Sequence, residues 1–485
     1  MTQSSTTLAK YEAVIGLEIH AQLATKSKLF CGDATDFGAA PNTQISPITM
    51  GHPGTLPKTN EQAIAYAIMM GLACGCAIEK NNYFARKNYF YPDLPKGYQI
   101  SQHTTPICVG GEIKINTAAG EKMIQLNRIH LEEDAGKSIH DLSETATMID
   151  LNRAGTPLIE LVTEPCLHSA EEAFEFVTEI RKLVRWLGVC DGNMEEGSLR
   201  CDANISIRLQ GEKKLGTRVE IKNLNSIRNI KKAIEFEIER LIEITETGGT
   251  IVQQTRSFDA NNDTTFSIRD KEDANDYRYF PDPDLAPFHL TDESFESIRT
   301  KLPALPNELK KQWANHLKLS DYDASQLSEN KEEASFFIAL TQLSTHYKAI
   351  ANWILGPIRS YINETHSSYD KVSLALGPIA ALIEMVEKNQ LNFSVASNKI
   401  LKEIIAKPQS PLAYAEEHNL LQSNSSDEIE NWVSQVLTMH PEKVAEYKKG
   451  KKGLIGLFVG EVKKISQGKA DPKISTQLLE KKLAE

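Results

Sequence analysis

Between Leu199 and Leu209 the chain alternates apolar and polar residues without a break. Leu199, Cys201, Ala203, Ile205, Ile207 and Leu209 share one parity; Arg200, Asp202, Asn204, Ser206 and Arg208 share the other. Successive side chains of a strand point to opposite faces, so this pattern predicts one buried face and one polar face carrying both charge signs. A solvated outer face would explain a lone strand of this kind, but the pattern recurs. Val14–Leu23 places Ile15, Leu17, Ile19 and Leu23 inward and Glu18, His20 and Gln22 on the opposite face. In Asn127–Lys137 a regular strand puts His130, Glu132 and Asp134 on one face and Glu133 on the other. Leu158–Val162 is an apolar strand with Glu160 at its centre, and Arg218–Lys222 turns Arg218, Glu220 and Lys222 away from Val219 and Ile221.

Helical spacing separates these strands. Thr59 or Asn60 can cap a helix from Glu61 to about Cys74. Ser169 and Glu172 form a capping box, Ala173, Val177, Ile180, Val184 and Leu187 recur at helical spacing, and Gly188 stops the helix. Ser226 caps a long helix to about Thr247, closed by Gly248-Gly249. The proline-rich stretch Asp276–Pro287 reads as the end of a first domain. From about Thr291 the apolar spacing is three and four only, and a Pro/Ser break lies at Lys407–Pro411. The expected architecture is α+β, with an antiparallel sheet domain over 1–293, an all-α domain over 294–408 and an all-α tail over 409–485.

Length agrees with several domains, since 485 residues exceed one ordinary core. No apolar run approaches the roughly 18 residues of a membrane span, and the start MTQSSTTLAK reads as a polar, frayed tail without a signal core. The seven cysteines all precede Asp202, and fit reduced thiols in a cytoplasmic protein. Cys74-Gly-Cys76 has the wrong spacing for common zinc or redox motifs and reads as a helix end. Net charge is −11, so any nucleic-acid contact must come from a local basic patch. One exists: Glu442–Glu485 holds 11 Lys against 5 Glu and one Asp, a balance of +5. It suits phosphate-backbone contact, with a solvated lysine-rich helix as the competing reading.

The polar faces narrow the chemistry. Glu18 and His20 sit roughly 6.6 Å apart along one strand face, a spacing at which both can reach one metal ion or simply decorate a surface. Three successive acids at 132–134 are costly to bury without a cation, and the alternative is an exposed turn. Glu160 inside an apolar run needs a partner, either a site cation or an arginine. Asn82–Gln102 interleaves Tyr and Phe with Arg86, Lys87 and Lys96, which suits a loop meeting a base or a packed Ω-like loop. Neither phosphate-binding glycine fingerprint is present, and no Ser-Lys or Ser-His-Asp arrangement stands out. Carboxylates with a histidine suit Mg²⁺ shared with substrate phosphates, and Arg and Lys nearby suit the phosphates themselves. The residues therefore point to a Mg²⁺- and ATP-using enzyme of neither P-loop nor Rossmann type.

Long motifs tie the chain to one family. GLEIH (Gly16–His20), RKNYFYPDLPKGYQISQ (Arg86–Gln102), HLEEDAGKSIHD (His130–Asp141) and DLNRAGTPLIELVTEP (Asp150–Pro165) are four of them. MEEGSLRCDANIS (Met194–Ser206), EIKNLNS (Glu220–Ser226), DYRYFPDPDL (Asp276–Leu285), YDASQL (Tyr322–Leu327), NWILG (Asn352–Gly356) and the GKADP tail complete the set. The chain resembles the B subunits of aspartyl/glutamyl-tRNA(Asn/Gln) amidotransferases over nearly its whole length.

The resemblance implies a glutamine-synthetase-like cradle, followed by helical and tail domains that bind tRNA. It implies ATP-dependent phosphorylation of the side-chain carboxylate of misacylated Glu-tRNA(Gln) or Asp-tRNA(Asn). Ammonia from an amidase A subunit then displaces the phosphate, in a heterotrimer with a small C subunit. It assigns Glu18, Glu133 and Glu160 as Mg²⁺ carboxylates with His20 beside them. Lys87, Arg200, Asp202, Glu220 and Lys222 line the cradle, and of these Arg200, Glu220 and Lys222 are expected to bind the cofactor. Here parity and family disagree, because alternation places Glu132, not Glu133, beside His130. Some relatives carry a four-cysteine zinc knuckle, whereas this chain keeps Cys31 but has Ser46-Pro-Ile-Thr49, so no zinc is expected. Glu461 stands where the family's glutamine is expected.

Overall fold

Each alternating stretch forms a strand, and they lie side by side. The computed structural model describes residues 9–140, 142–270, 277–422, 426–466 and 468–484. The start of the N-terminal tail, Asp141, Asp276 and Gln467 fall outside these. The chain divides into two compact units, Met1–Pro303 and Ala304–Glu485.

The first unit is built on ten strands: β1 (Tyr11–Gln22), β2 (Ala85–Asn88), β3 (Tyr98–Ser101), β4 (Gly120–Glu133), β5 (Pro157–Thr163), β6 (Leu199–Leu209), β7 (Val219–Leu224), β8 (Gln254–Asp259), β9 (Thr264–Asp270) and β10 (Phe280–Pro281). Their order is β9-β8-β7-β6-β1-β5-β4-β3-β2-β10, with three short strands pairing off this path. Neighbours along the path are antiparallel except β7 and β8. The fold is therefore α+β, with a sheet unit followed by a helical one.

Register aligns the polar residues across strands. Arg200 lies opposite His20, His20 opposite Glu160, and Glu160 opposite His130. On the next row of the same face Asp202 lies opposite Glu18. The other face is the core: Ile15, Leu17 and Ile19 on β1 and Cys201, Ala203 and Ile205 on β6 are at most 1% exposed.

Three helices pack on that apolar side. The first, α1 (Glu61–Ala73), is capped by Asn60, whose side chain accepts the Gln62 N–H at 2.9 Å. A Cβ on Gly71 would come within 2.3 Å of Cys108 Sγ, so only glycine permits this approach. The second, α2 (Ala170–Leu187), is capped by Ser169 and ends on Gly188 in the left-handed conformation. The third, α3 (Ile227–Glu246), is capped by Ser226 and packs on α2 and β6.

The second unit is helical throughout. Ser410 caps the helix Pro411–Glu417, which packs on Leu376–Glu387 and buries Ala415 completely. Further on, Ile429, Val433, Val436, Phe458, Val462 and Leu479 form a separate apolar cluster. No helix among the described residues is long and apolar enough to cross a membrane.

Candidate active site

Two groups of ligand-type side chains form on the polar face of the sheet. In each, three ligand atoms lie within 4.8 Å of one another: His20, Glu132 and Glu160 in one, and Glu18, Asp202 and Glu220 in the other. The first spans three adjacent strands. His20 Nε2 is 3.5 Å from Glu160 and 3.7 Å from Glu132, and His130 Nε2 is 3.5 Å from Glu160 and 3.8 Å from Glu132. These are long contacts for charged partners. Glu132 Oε2 and His130 Nδ1 are buried with no hydrogen-bond partner among the described residues.

The charge states follow from this crowding. Burial disfavours the His20 imidazolium, but Glu160 and Glu132 outweigh it and raise its pKa to about 9. Burial also raises Glu132 and Glu160, yet both end below the ordinary carboxylate range. His130 and Lys87 offset burial for Glu132, and His130, His20 and Lys87 do so for Glu160. Glu18 behaves oppositely: desolvation, then Glu160 and Asp202, raise its pKa. Two carboxylates side by side, ionised and incompletely bonded, form a site that a cation would complete.

Cations frame the two groups. Lys87 Nζ lies 5.1 Å from the Tyr277 ring and 5.9 Å from the Tyr89 ring. Its burial lowers its pKa, but Glu132, Tyr279 and Glu160 raise it further, so it stays charged. Lys222 bridges Asp202 and Glu220, at 3.1 Å from each. Asn204 donates to Glu18 at 2.9 Å. Arg200 donates to Asp134 at 2.9 Å, and Gln22 to the same oxygen at 2.7 Å.

Of the residues singled out from the sequence, Glu18, His20, Lys87, Glu160, Arg200, Asp202, Glu220 and Lys222 gather around these two groups. Glu133 does not. Strand β4 stays regular through this position, so Glu133 turns to the opposite side, where it binds Lys96 Nζ at 2.5 Å and the Ile100 N–H at 3.0 Å. It borders a cavity of about 290 Å³ whose lining includes Lys28, Thr49, Lys96, Tyr98 and Gly155. Glu132 holds the place beside His130 that strand alternation gave it.

The sequence candidates omitted His130, Asp134, Asn204 and Arg153. Alternation already placed His130 and Asp134 on the correct face. Arg153 lies in a loop where no periodicity marks it. Around the incomplete cysteine set, Asp33 Oδ2 accepts the Ser46 N–H at 2.9 Å, the Thr49 hydroxyl at 2.5 Å and the Cys31 thiol at 3.3 Å. One carboxylate thus ties the loop together through hydrogen bonds.

Two known families match the chain that builds this geometry. Residues 13–296 match the GatB/GatE catalytic domain family and residues 335–483 the GatB domain family. The chain is 46% identical over 477 residues to the B subunit of the aspartyl/glutamyl-tRNA(Asn/Gln) amidotransferase of Geotalea daltonii, covering 98% of this chain and 99% of that protein. The chain belongs to this B-subunit family. Identity is 45% to the proteins of the same name from Oleidesulfovibrio alaskensis and Persephonella marina, covering 98% of this chain and the full length of each relative. The paired carboxylate groups fall inside the stretch matching the family's catalytic domain, and the basic tail falls inside the second match.

Proposed function

We propose that this chain is the phosphorylating subunit of an aminoacyl-tRNA amidotransferase. It uses ATP to activate the side-chain carboxylate of Glu-tRNA(Gln), Asp-tRNA(Asn) or both. Ammonia from a glutaminase A subunit, in a heterotrimer with a small C subunit, then yields the amide. The single observation that carries this reading is the pair Glu132 and Glu160, buried beside His20 with a carboxylate oxygen left unbonded.

Oxygen donors with one imidazole fit Mg²⁺, which His20, Glu132 and Glu160 would hold, with Glu18, Asp202 and Glu220 as a second carboxylate group. A divalent cation bound there supplies charge neutralisation for phosphoryl oxygens.

The chain's own groups do the rest. His20 Nε2 carries a proton that screens Glu132 and Glu160, and it must release that proton to offer a lone pair. Lys87 and Lys222 remain charged and draw polyphosphate to the face. The substrate carboxylate is already ionised at neutral pH, so phosphorylation needs no general base. One carboxylate oxygen bonds to the γ-phosphorus while the bond to the β-bridging oxygen breaks, and ADP leaves with that electron pair. In the amidation step the ammonia nitrogen bonds to the acyl carbon, the acyl C–O bond breaks, phosphate leaves, and nitrogen loses a proton. The basic C-terminal stretch supplies contacts to the tRNA backbone.

The test is to assay the assembled complex with Glu-tRNA(Gln) and with Asp-tRNA(Asn), following ADP and amidated product. ADP formation dependent on misacylated tRNA is expected with at least one substrate. Its absence with both, in a complex whose glutaminase is active, overturns the reading.

A further inference from the structure

Asp134 is the most heavily engaged carboxylate on the polar face, and no motif gave it a role. It is 5% exposed. Its Oδ2 accepts from Gln22 Nε2 at 2.7 Å and Arg200 Nη2 at 2.9 Å, and Arg153 Nε lies 3.7 Å away. Its backbone is fixed as well: its N–H donates to Thr156 O at 2.8 Å, and its carbonyl accepts the Gly155 N–H at 2.9 Å. A rigid buried anion therefore stands between two guanidinium groups.

Neither arginine is used up by Asp134. A guanidinium has five N–H donors. Arg200 spends one on Asp134 and has no other acceptor among the described residues, while 22% of its side chain stays exposed. Arg153 donates Nε to Ala135 O at 2.9 Å and Nη2 to Gly136 O at 2.5 Å, leaving Nη1, with its side chain 35% exposed. Arg200 starts on the row that contains His20, Glu160 and His130, and reaches across to the end of β4. It passes over the face on which the carboxylate groups sit.

If the arginines served only to neutralise Asp134, one bidentate partner would suffice. Two guanidinium groups about one anion leave a net positive charge, and the free donors of Arg200 lie on the face that carries the carboxylate groups. Planar forks of this kind match tetrahedral phosphoryl oxygens.

We propose that Arg200 clamps the phosphoryl group during its passage from ATP to the aminoacyl carboxylate, with Asp134 as the positioning residue that aims its guanidinium group and Arg153 as a second charge on the same anion. The ligand is thus the phosphoryl group itself, on the nucleotide and then on the acyl phosphate. This inference rests on the phosphorylating function proposed above.

The experiment uses the complete complex and follows ADP formation with misacylated tRNA. Asp134→Asn keeps the shape but removes the charge that orients Arg200. Its kcat for ADP formation should fall about 10- to 100-fold, the scale seen when a partner that orients a functional ligand is lost, with KM for tRNA little changed. Arg200→Ala should fall at least as far and should be restored in part by added guanidinium, which can occupy the vacated place beside Asp134. In Arg200→Ala combined with Asp134→Asn that rescue should vanish.

A structural role alone predicts lower thermal stability without guanidinium rescue. Rescue that is equal with and without Asp134, or unchanged kcat in Asp134→Asn, overturns the clamp. A wild-type complex that forms no ADP overturns the function instead, so the two failures are distinguishable.

Discussion

Two buried carboxylates, one in each unit of this chain, are bonded in opposite ways. In the helical unit Glu333 is 4% exposed and fully bonded. Arg359 donates to its two oxygens at 2.5 and 3.1 Å, and the Tyr369 hydroxyl adds a third bond at 2.5 Å. In the sheet unit Glu132 is 3% exposed, yet one of its oxygens has no hydrogen bond and its cations stand 3.7 and 3.8 Å away. A satisfied buried anion spends its bonds on structure, whereas one with an unbonded oxygen beside another anion keeps a place for a ligand. Function is to be sought at the charge the fold leaves incomplete.

The sharpest way to break this contrast is to remove the incomplete charges. Glu160→Ala should lower transamidation by about two orders of magnitude or more, since several kcal/mol of phosphoryl charge stabilisation are at stake. The glutaminase of the complex should survive at least in part. The same substitution should lower the melting temperature of the metal-free chain, because His130, His20 and Lys87 hold this carboxylate ionised against its burial and its removal leaves those cations facing one another. Near-normal transamidation in Glu160→Ala or Glu18→Ala would end the assignment.

The mirror experiment is Glu333→Gln. It should destabilise the chain by about 2–4 kcal/mol, on the low side for a broken buried pair because the Arg359 side chain is a third exposed. Denaturant unfolding measures it. A loss as small as that for Glu132→Gln would erase the distinction between the regions.

Adjacent residues give a finer comparison. Glu132→Gln should raise the Mg²⁺ concentration needed for half-maximal ADP formation, and Glu133→Gln should shift it far less. The reverse order would restore Glu133 as the ligand that the family resemblance suggested.

The smallest effects are expected in the tail. Truncation after residue 421 spares the helix Pro411–Glu417, which is packed on Leu376–Glu387. It should raise KM for tRNA more than it lowers kcat. The salt slope of binding should flatten by about 0.7–0.9 for each phosphate no longer neutralised. An unchanged slope would make the lysines a solvated surface. Metal analysis should also find less than one zinc per chain, since a closed zinc site needs about four ligands of the Cys or His kind.

Much of this was legible in the chain itself. Strict alternation fixed the strands at Val14–Leu23 and Leu199–Leu209, because a period of two leaves no freedom about which side chains share a face. The caps at Ser169 and Ser226 fixed helix starts, because they satisfy backbone N–H groups that nothing else reaches. Alternation also placed Glu132, and not Glu133, on the face with His130, where the structure has it. What it could not supply was register between strands remote in sequence. Opposing Arg200, His20, Glu160 and His130 in one row required pairing residues up to 180 positions apart.

Local periodicity and contiguous motifs were enough for the polar faces, the helices behind them and the family. Which charges meet was settled only when the strands assembled. Glu18 and His20 are strand neighbours, yet they enter two different ligand groups because their cross-strand partners differ. Arg153 comes from a loop with no period, and finds Asp134 only because the chain folds back at Gly155. Charges have long side chains and interact through space, so their partners are set by the assembled sheet and not by their positions along the chain.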